Sequence, residues 1–128
     1  MAEGLVLNEQ RRLNRRELLY YLKIVDRASG LELGRMADIH AEGMLILGDR
    51  PLTKGAIYRS DLELPKTLAE RSGRTSLAID FESLWDRPGP KNSIYYENGV
   101  RFLNLDSPSR ILIGQLIDLF AMPSGKFF

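Results

Sequence analysis

The sequence predicts an all-β domain: an antiparallel six-stranded β-barrel, split or Greek-key-like in its connections, with a C-terminal α-helix. Two observations predict it. Short apolar runs, several of them alternating with polar residues, follow one another between turn signals from Glu17 to Leu105, as paired strands require. After Ser107-Pro108 the period changes, and Leu112, Ile113, Leu116, Ile117 and Phe120 recur at helical spacing. Strand after strand followed by a single helix points to a sheet closed on itself with the helix packed against it.

The elements follow in order. Met1 to Asn14 shows no clear period and reads as an arm; the domain proper is assigned to residues 9–122, with residues 1–8 as a flexible N-terminal arm and 123–128 as a tail. Glu17 to Arg27, rich in aromatic and β-branched residues, predicts the first strand. Ser29-Gly30 is a turn signal, and Glu32 to Ile39 should pair back as a hairpin. His40-Ala41-Glu42-Gly43 makes a tight connection to the apolar run Met44 to Leu47, which Gly48, Asp49 and Pro51 close.

Ala56 to Leu64 is the fourth strand, with Tyr58, Leu62 and Leu64 on one face and Arg59, Asp61 and Glu63 on the other. Pro65 to Arg74 is polar and reads as a loop. Leu77 to Glu82 alternates again. Arg87-Pro88-Gly89-Pro90 should end any ladder. Ile94 to Leu105 is the last strand, with a bulge expected at Asn98-Gly99. Ser107 reads as the helix N-cap with Pro108 at the first helical position, and Pro123 as its stop.

Composition excludes several classes. With 128 residues, 44% of them apolar, the chain fits one domain with a continuous core and is not disordered as a whole. A formal net charge of +1 argues against a polycation that coats nucleic acid. The absence of cysteine removes disulfides, thiol nucleophiles and thiolate metal sites. No apolar stretch approaches a membrane span, and Met1 to Gln10 lacks a signal-peptide core. A cytoplasmic protein without a membrane span is the expectation.

Two segments carry candidate chemistry. Arg11-Arg12-Leu13-Asn14-Arg15-Arg16 holds two overlapping Arg-x-x-x-Arg spacings, Arg11 with Arg15 and Arg12 with Arg16. Guanidinium presents a planar fork of donors that grips a phosphate, or a guanine edge, with two hydrogen bonds. The same residues would also make a solvated basic segment that merely precedes a strand. In the second segment, Asp38 and His40 alternate onto one side of a strand, and Gly43 allows a positive φ or a close approach to the backbone. A plain turn in which Asp38 bonds local amides accounts for that segment equally well.

Taken together and in order, the two segments resemble the PilZ family, the bacterial receptors for cyclic di-GMP. Arg11-x-x-x-Arg15, or Arg12 with Arg16, matches the family's Arg-x-x-x-Arg. Asp38-x-His40-x-x-Gly43 matches its (Asp/Asn)-x-Ser-x-x-Gly, with histidine in place of serine. The run Gly99-Val100-Arg101-Phe102 followed by a terminal amphipathic helix looks like the end of a PilZ barrel. The resemblance implies a non-catalytic receptor: Arg11, Arg12, Arg15 and Arg16 clamp phosphates and guanine edges, Asp38 reads a guanine face, and Gly43 leaves room for the ligand. Binding would draw the arm onto the barrel and change the surface offered to a protein partner.

His40 either stacks on a base or donates to phosphate, or it crowds the pocket. In the latter case the chain is a PilZ-like interaction module that has lost nucleotide binding. Cyclic di-GMP is a ligand in this reading, and no cofactor is implied.

Catalysis finds no constellation. His40 is the sole histidine, which excludes a histidine metal cluster. Ser29 lies on a turn, unlike a triad nucleophile, and Asp80 with Glu82 reads as a solvent face. No phosphate-loop or dinucleotide fingerprint is present. Trp85, with Leu84, should pack at a strand end beside the helix or serve a partner. Tyr20, Tyr21, Tyr95 and Tyr96 read as cross-strand packing. Stacking on single-stranded nucleic acid is the other use of such aromatics, and the near-zero net charge disfavours it.

Overall fold

Alternation along each strand becomes burial of one face. The computed structural model describes residues 21–91 and 93–121. It contains β1 (Leu22–Asp26), β2 (Glu32–His40), β3 (Gly43–Gly48), β4 (Ile57–Glu63), α1 (Lys66–Ser72), β5 (Ser76–Pro88), β6 (Tyr96–Leu103) and α2 (Ser107–Ala121). The strands close into an antiparallel barrel in the order β1-β2-β3-β6-β5-β4, with β1 paired to β4. The assigned arm (1–8), residues 17–20 of the predicted first strand, Tyr20, Pro123 and the tail (123–128) lie outside the described residues.

The inward residues are those that the alternation selects. Ile24, Met36, Ile46, Leu62, Leu77, Ile79 and Phe81 are buried in one core, and Tyr58 stacks on Phe81 with ring centroids 5.3 Å apart. Asp26 sets the first hairpin. Its carboxylate accepts from the Ser29 amide (2.9 Å) and hydroxyl (2.8 Å), and Gly30 takes φ 76°, a conformation that favours glycine. The segment beyond β3 is pinned by Asn98, whose Oδ1 accepts from the Leu52 N–H at 2.8 Å.

Antiparallel closure gathers several features at one rim of the barrel. The start of β1, the β2–β3 turn, the β4–α1–β5 connection and the step from β6 into α2 all lie at the same end. Leu112, Ile113 and Leu116 of α2 and Leu68 of α1 are buried in the barrel core.

Several expectations need correction. Pro65 to Arg74 is not all loop, because Lys66–Ser72 forms α1 and buries Leu68. Seven residues with one buried leucine are too few to show a helical period. Gly73 ends this helix at φ 75°, its N–H donating to the Ala69 carbonyl at 3.0 Å. Arg87-Pro88 does not break the ladder: β5 runs to Pro88, which pairs with Tyr96 at the strand's last position, where a proline is tolerated.

The irregularity expected at Asn98-Gly99 sits on the facing strand, between Ser83 and Trp85. The helix cap is Asp106, not Ser107: its Oδ1 accepts from the Ser109 N–H at 2.8 Å, the geometry of an N-cap with the third helical residue. Trp85 does not pack beside the helix; it faces Gly99 across the β5–β6 pair and carries the Arg87 guanidinium 5.1 Å from its ring centroid.

Candidate functional site

Ile39 points into the core, so its neighbours Asp38 and His40 emerge on the outer face of β2, both exposed. An Asp38 oxygen accepts from the Ile39 N–H at 2.9 Å. His40 Nδ1 accepts from the Glu42 N–H at 3.3 Å. A neutral imidazole that accepts at Nδ1 carries its proton on Nε2, which makes Nε2 the donor. The aspartate therefore makes a local-amide bond of the plain-turn kind, and it forms no ion pair with another described residue.

Gly43 ends the turn directly opposite His40 in the β2–β3 register and opposite Arg101 in the β3–β6 register. It is not among the positive-φ glycines. The space that a side chain would take is occupied by protein, since a Cβ at Gly43 would overlap the carbonyl oxygen of Val100. The glycine thus serves the close approach of β3 and β6. The Phe102 N–H donates to the Glu42 carbonyl at 2.9 Å and ties the turn to β6.

Residues directly opposite one another in a sheet share a face, so His40, Gly43, Arg101 and Glu82 form one outward row across four strands. Sequence reasoning missed Arg101 as a site residue. Alternation with Val100 and Phe102 turns it outward, but its position beside Gly43 depends on β6 pairing with β3, which local spacing does not specify. Its Nε and Nη2 donate to one oxygen of Glu82 at 3.0 and 2.8 Å. The second of the paired carboxylates, Asp80, lies 3.4 Å from the Arg27 guanidinium. Both carboxylates serve ion pairs on the solvent face.

Arg11, Arg12, Arg15 and Arg16 lie outside the described residues. The rim that carries Asp38 to Gly43 is nevertheless the one at which the chain enters β1, since Leu22 pairs with Met36, just before Asp38. The described part of the site combines a carboxylate acceptor, an imidazole, a glycine and a guanidinium. This set can recognise an anion and an N–H-bearing base. Among the described residues no group of three side chains could hold a metal ion, and no helix is long and apolar enough to cross a membrane.

Comparison with known proteins places this geometry in context. The sequence matches the PilZ domain over residues 10–119. No curated protein sequence matches. Among solved structures, MrkH of K. pneumonia in its apo state superposes with a TM-score of 0.64 at 13% identity, covering 85% of this chain and 50% of that one. The PilZ domain of YcgR from Escherichia coli, solved with c-di-GMP, gives 0.58 at 18% identity over 83% of this chain and 86% of that one. The Bacillus subtilis inhibitor of motility, MotI/DgrA, gives 0.57 at 16% identity over 83% and 50%. The chain thus spans half the length of the MrkH and MotI chains that it matches.

Proposed function

Because the chain belongs to the PilZ domain family, we propose that it is a non-catalytic bacterial receptor for cyclic di-GMP that acts in the cytoplasm and signals to a protein partner. Arg11, Arg12, Arg15 and Arg16 hold the ligand's phosphates and guanine edges. Asp38 accepts from a guanine, His40 donates from Nε2, and Gly43 seats the turn that carries them against β6. Guanidinium donors before β1 and a carboxylate acceptor on a fixed rim suit a ligand that carries both phosphates and guanines.

The observation that carries this reading is the shared rim. Arg16 precedes Leu22 by six residues, a span of at most about 20 Å when fully extended, and Leu22 enters the barrel opposite Met36, two residues before Asp38. The arginines and the Asp38–Gly43 corner are therefore within reach of one small molecule. Charge-assisted hydrogen bonds drive binding, so affinity falls with salt.

One observation favours a second reading. His40 stands where the family carries serine, and its Nδ1 is already engaged by the Glu42 amide; this suits an interaction module that has dispensed with the nucleotide. Calorimetric titration with cyclic di-GMP separates the two. The receptor binds, and Arg15→Ala abolishes or strongly weakens the heat. No heat and no amide shifts at high micromolar ligand would establish the interaction module instead.

A further inference from the structure

We propose that Arg101 is a further anion contact of this site, taking one phosphodiester group of the ligand over Gly43, with Glu82 as the residue that positions and restrains it. The inference rests on the receptor reading above and goes beyond its arginine arm and Asp38–Gly43 corner. It starts from the outward row. His40 and Arg101 flank Gly43 on either side, about 10 Å apart from backbone to backbone at ordinary strand spacing, and no side chain of β3 projects between them, the place of a Gly43 Cβ being taken by the Val100 carbonyl.

The side chains on both flanks of Gly43 are donors. His40 Nδ1 is occupied as an acceptor by the Glu42 amide, so the ring offers Nε2–H. Arg101 is a permanent cation whose side chain is 58% exposed, so solvent or a ligand can reach it. Its Nε and Nη2 are held by Glu82, while Nη1 makes no bond to a described residue. A group that meets donors on both sides must be an acceptor, and a phosphodiester is an acceptor with a negative charge. Asp38, in a neighbouring register row and opposite Leu45, is an acceptor and would repel that phosphate. The polarity of the face therefore sets an orientation: phosphate over Gly43, guanine towards Asp38.

Glu82 gives the inference a test with opposite signs. Its carboxylate steadies the guanidinium but cancels part of the charge that the ligand should feel. Glu82→Gln keeps an oxygen that can accept from Arg101 and removes the negative charge.

The experiment is calorimetric titration of the full chain with cyclic di-GMP at one fixed salt concentration, comparing parent, Arg101→Gln, Arg101→Lys and Glu82→Gln, with the fold of each checked by circular dichroism. Losing a hydrogen-bonded charge should weaken binding by about tenfold or more in Arg101→Gln. Arg101→Lys, which keeps the charge without the fork, should fall in between. Glu82→Gln should tighten binding by about twofold to fivefold, as expected for an exposed charge. A purely structural Arg101–Glu82 bridge would give no tightening. If the parent binds and Arg101→Gln binds equally well, the inference is overturned while the receptor reading stands. If Arg101→Gln does not fold, a Glu82→Gln affinity at or below the parent's overturns it. Absence of binding by the parent overturns both.

Discussion

Trp85 fills the place of the side chain that Gly99 lacks. The two residues face each other across β5 and β6, and a Cβ on Gly99 would overlap the indole ring. The extra residue in β5, Leu84, lets two successive side chains emerge on the outside, which is what a bulge does to a strand. Arg87 completes the stack from above the ring and bonds to Glu97 at its other side.

Gly99→Ala should therefore displace the indole and destabilise the barrel by about 1–3 kcal/mol, the usual cost of overpacking. Trp85 is the sole tryptophan, so its fluorescence reports the change directly. We expect a red-shifted emission maximum and stronger acrylamide quenching, together with a lower urea midpoint. An unchanged spectrum would show that the indole is not seated on Gly99.

Two buried serines should respond oppositely to alanine. Ser60 Oγ donates to the Ile79 carbonyl at 2.8 Å, whereas Ser83 Oγ is buried without a partner among the described residues. Removing a satisfied hydroxyl costs about 1 kcal/mol, while removing an orphan relieves a desolvation penalty. Ser60→Ala should lower the chemical-denaturation midpoint, and Ser83→Ala should leave it unchanged or raise it. A similar loss in both variants would mean that Ser83 has a bonding partner, such as a buried water.

The strands were legible in the sequence because alternation and burial have the same cause. Tyr58, Leu62 and Leu64 face inward while Arg59 and Glu63 do not, as a period of two requires. Part of what was not legible depended on partners distant in the chain. The irregularity beside Gly99 belongs to β5 because Trp85 needs room there, and Asn98-Gly99 alone suggested the wrong strand. Helix α1 is too short to show a period. Asp106 displaced Ser107 as the cap because either side chain could serve, and only the backbone path decides. At the candidate site, alternation was sufficient to turn Asp38 and His40 outward. Arg101 became a site residue only through the pairing of β3 with β6.

The Asp106 cap titrates. Its hydrogen bonds to the Ser109 side chain and amide hold the carboxyl below its ordinary value of 3.8. The folded state then binds fewer protons than the unfolded chain as acid is added, so the stability contributed by Asp106 is fully present above that ordinary value. It is lost as pH falls through the lowered one. Asp106→Asn keeps a capping oxygen but cannot titrate. The urea midpoint of this variant should change less than the parent's between neutral and strongly acid pH. Parallel curves would show that the cap carries no charge-dependent stability. Asp26, lowered in the same direction by Ser29, adds to the parent's acid sensitivity and is common to both proteins.

Asn98 tests how the end of the barrel opposite the candidate site is closed. It is fully buried, accepts from the Leu52 amide at 2.8 Å and donates to the Ile46 carbonyl at 3.4 Å. One side chain thus joins β6 to β3 and to the segment that follows it. Leu52, itself buried in the core cluster, depends on that bond for its register. Asn98→Ala strands a buried N–H and weakens the satisfaction of a carbonyl, at a cost of about 2–3 kcal/mol. Hydrogen exchange locates the damage: protection should fall at the Leu52 amide by a larger factor than at Ile24 or Met36, which lie on strands that Asn98 does not touch. Uniform loss across all three amides would mean that the side chain supports the whole barrel rather than this closure. On the proposed receptor reading, cyclic di-GMP affinity should be unaffected, because Asp38 to Gly43 stand at the other rim.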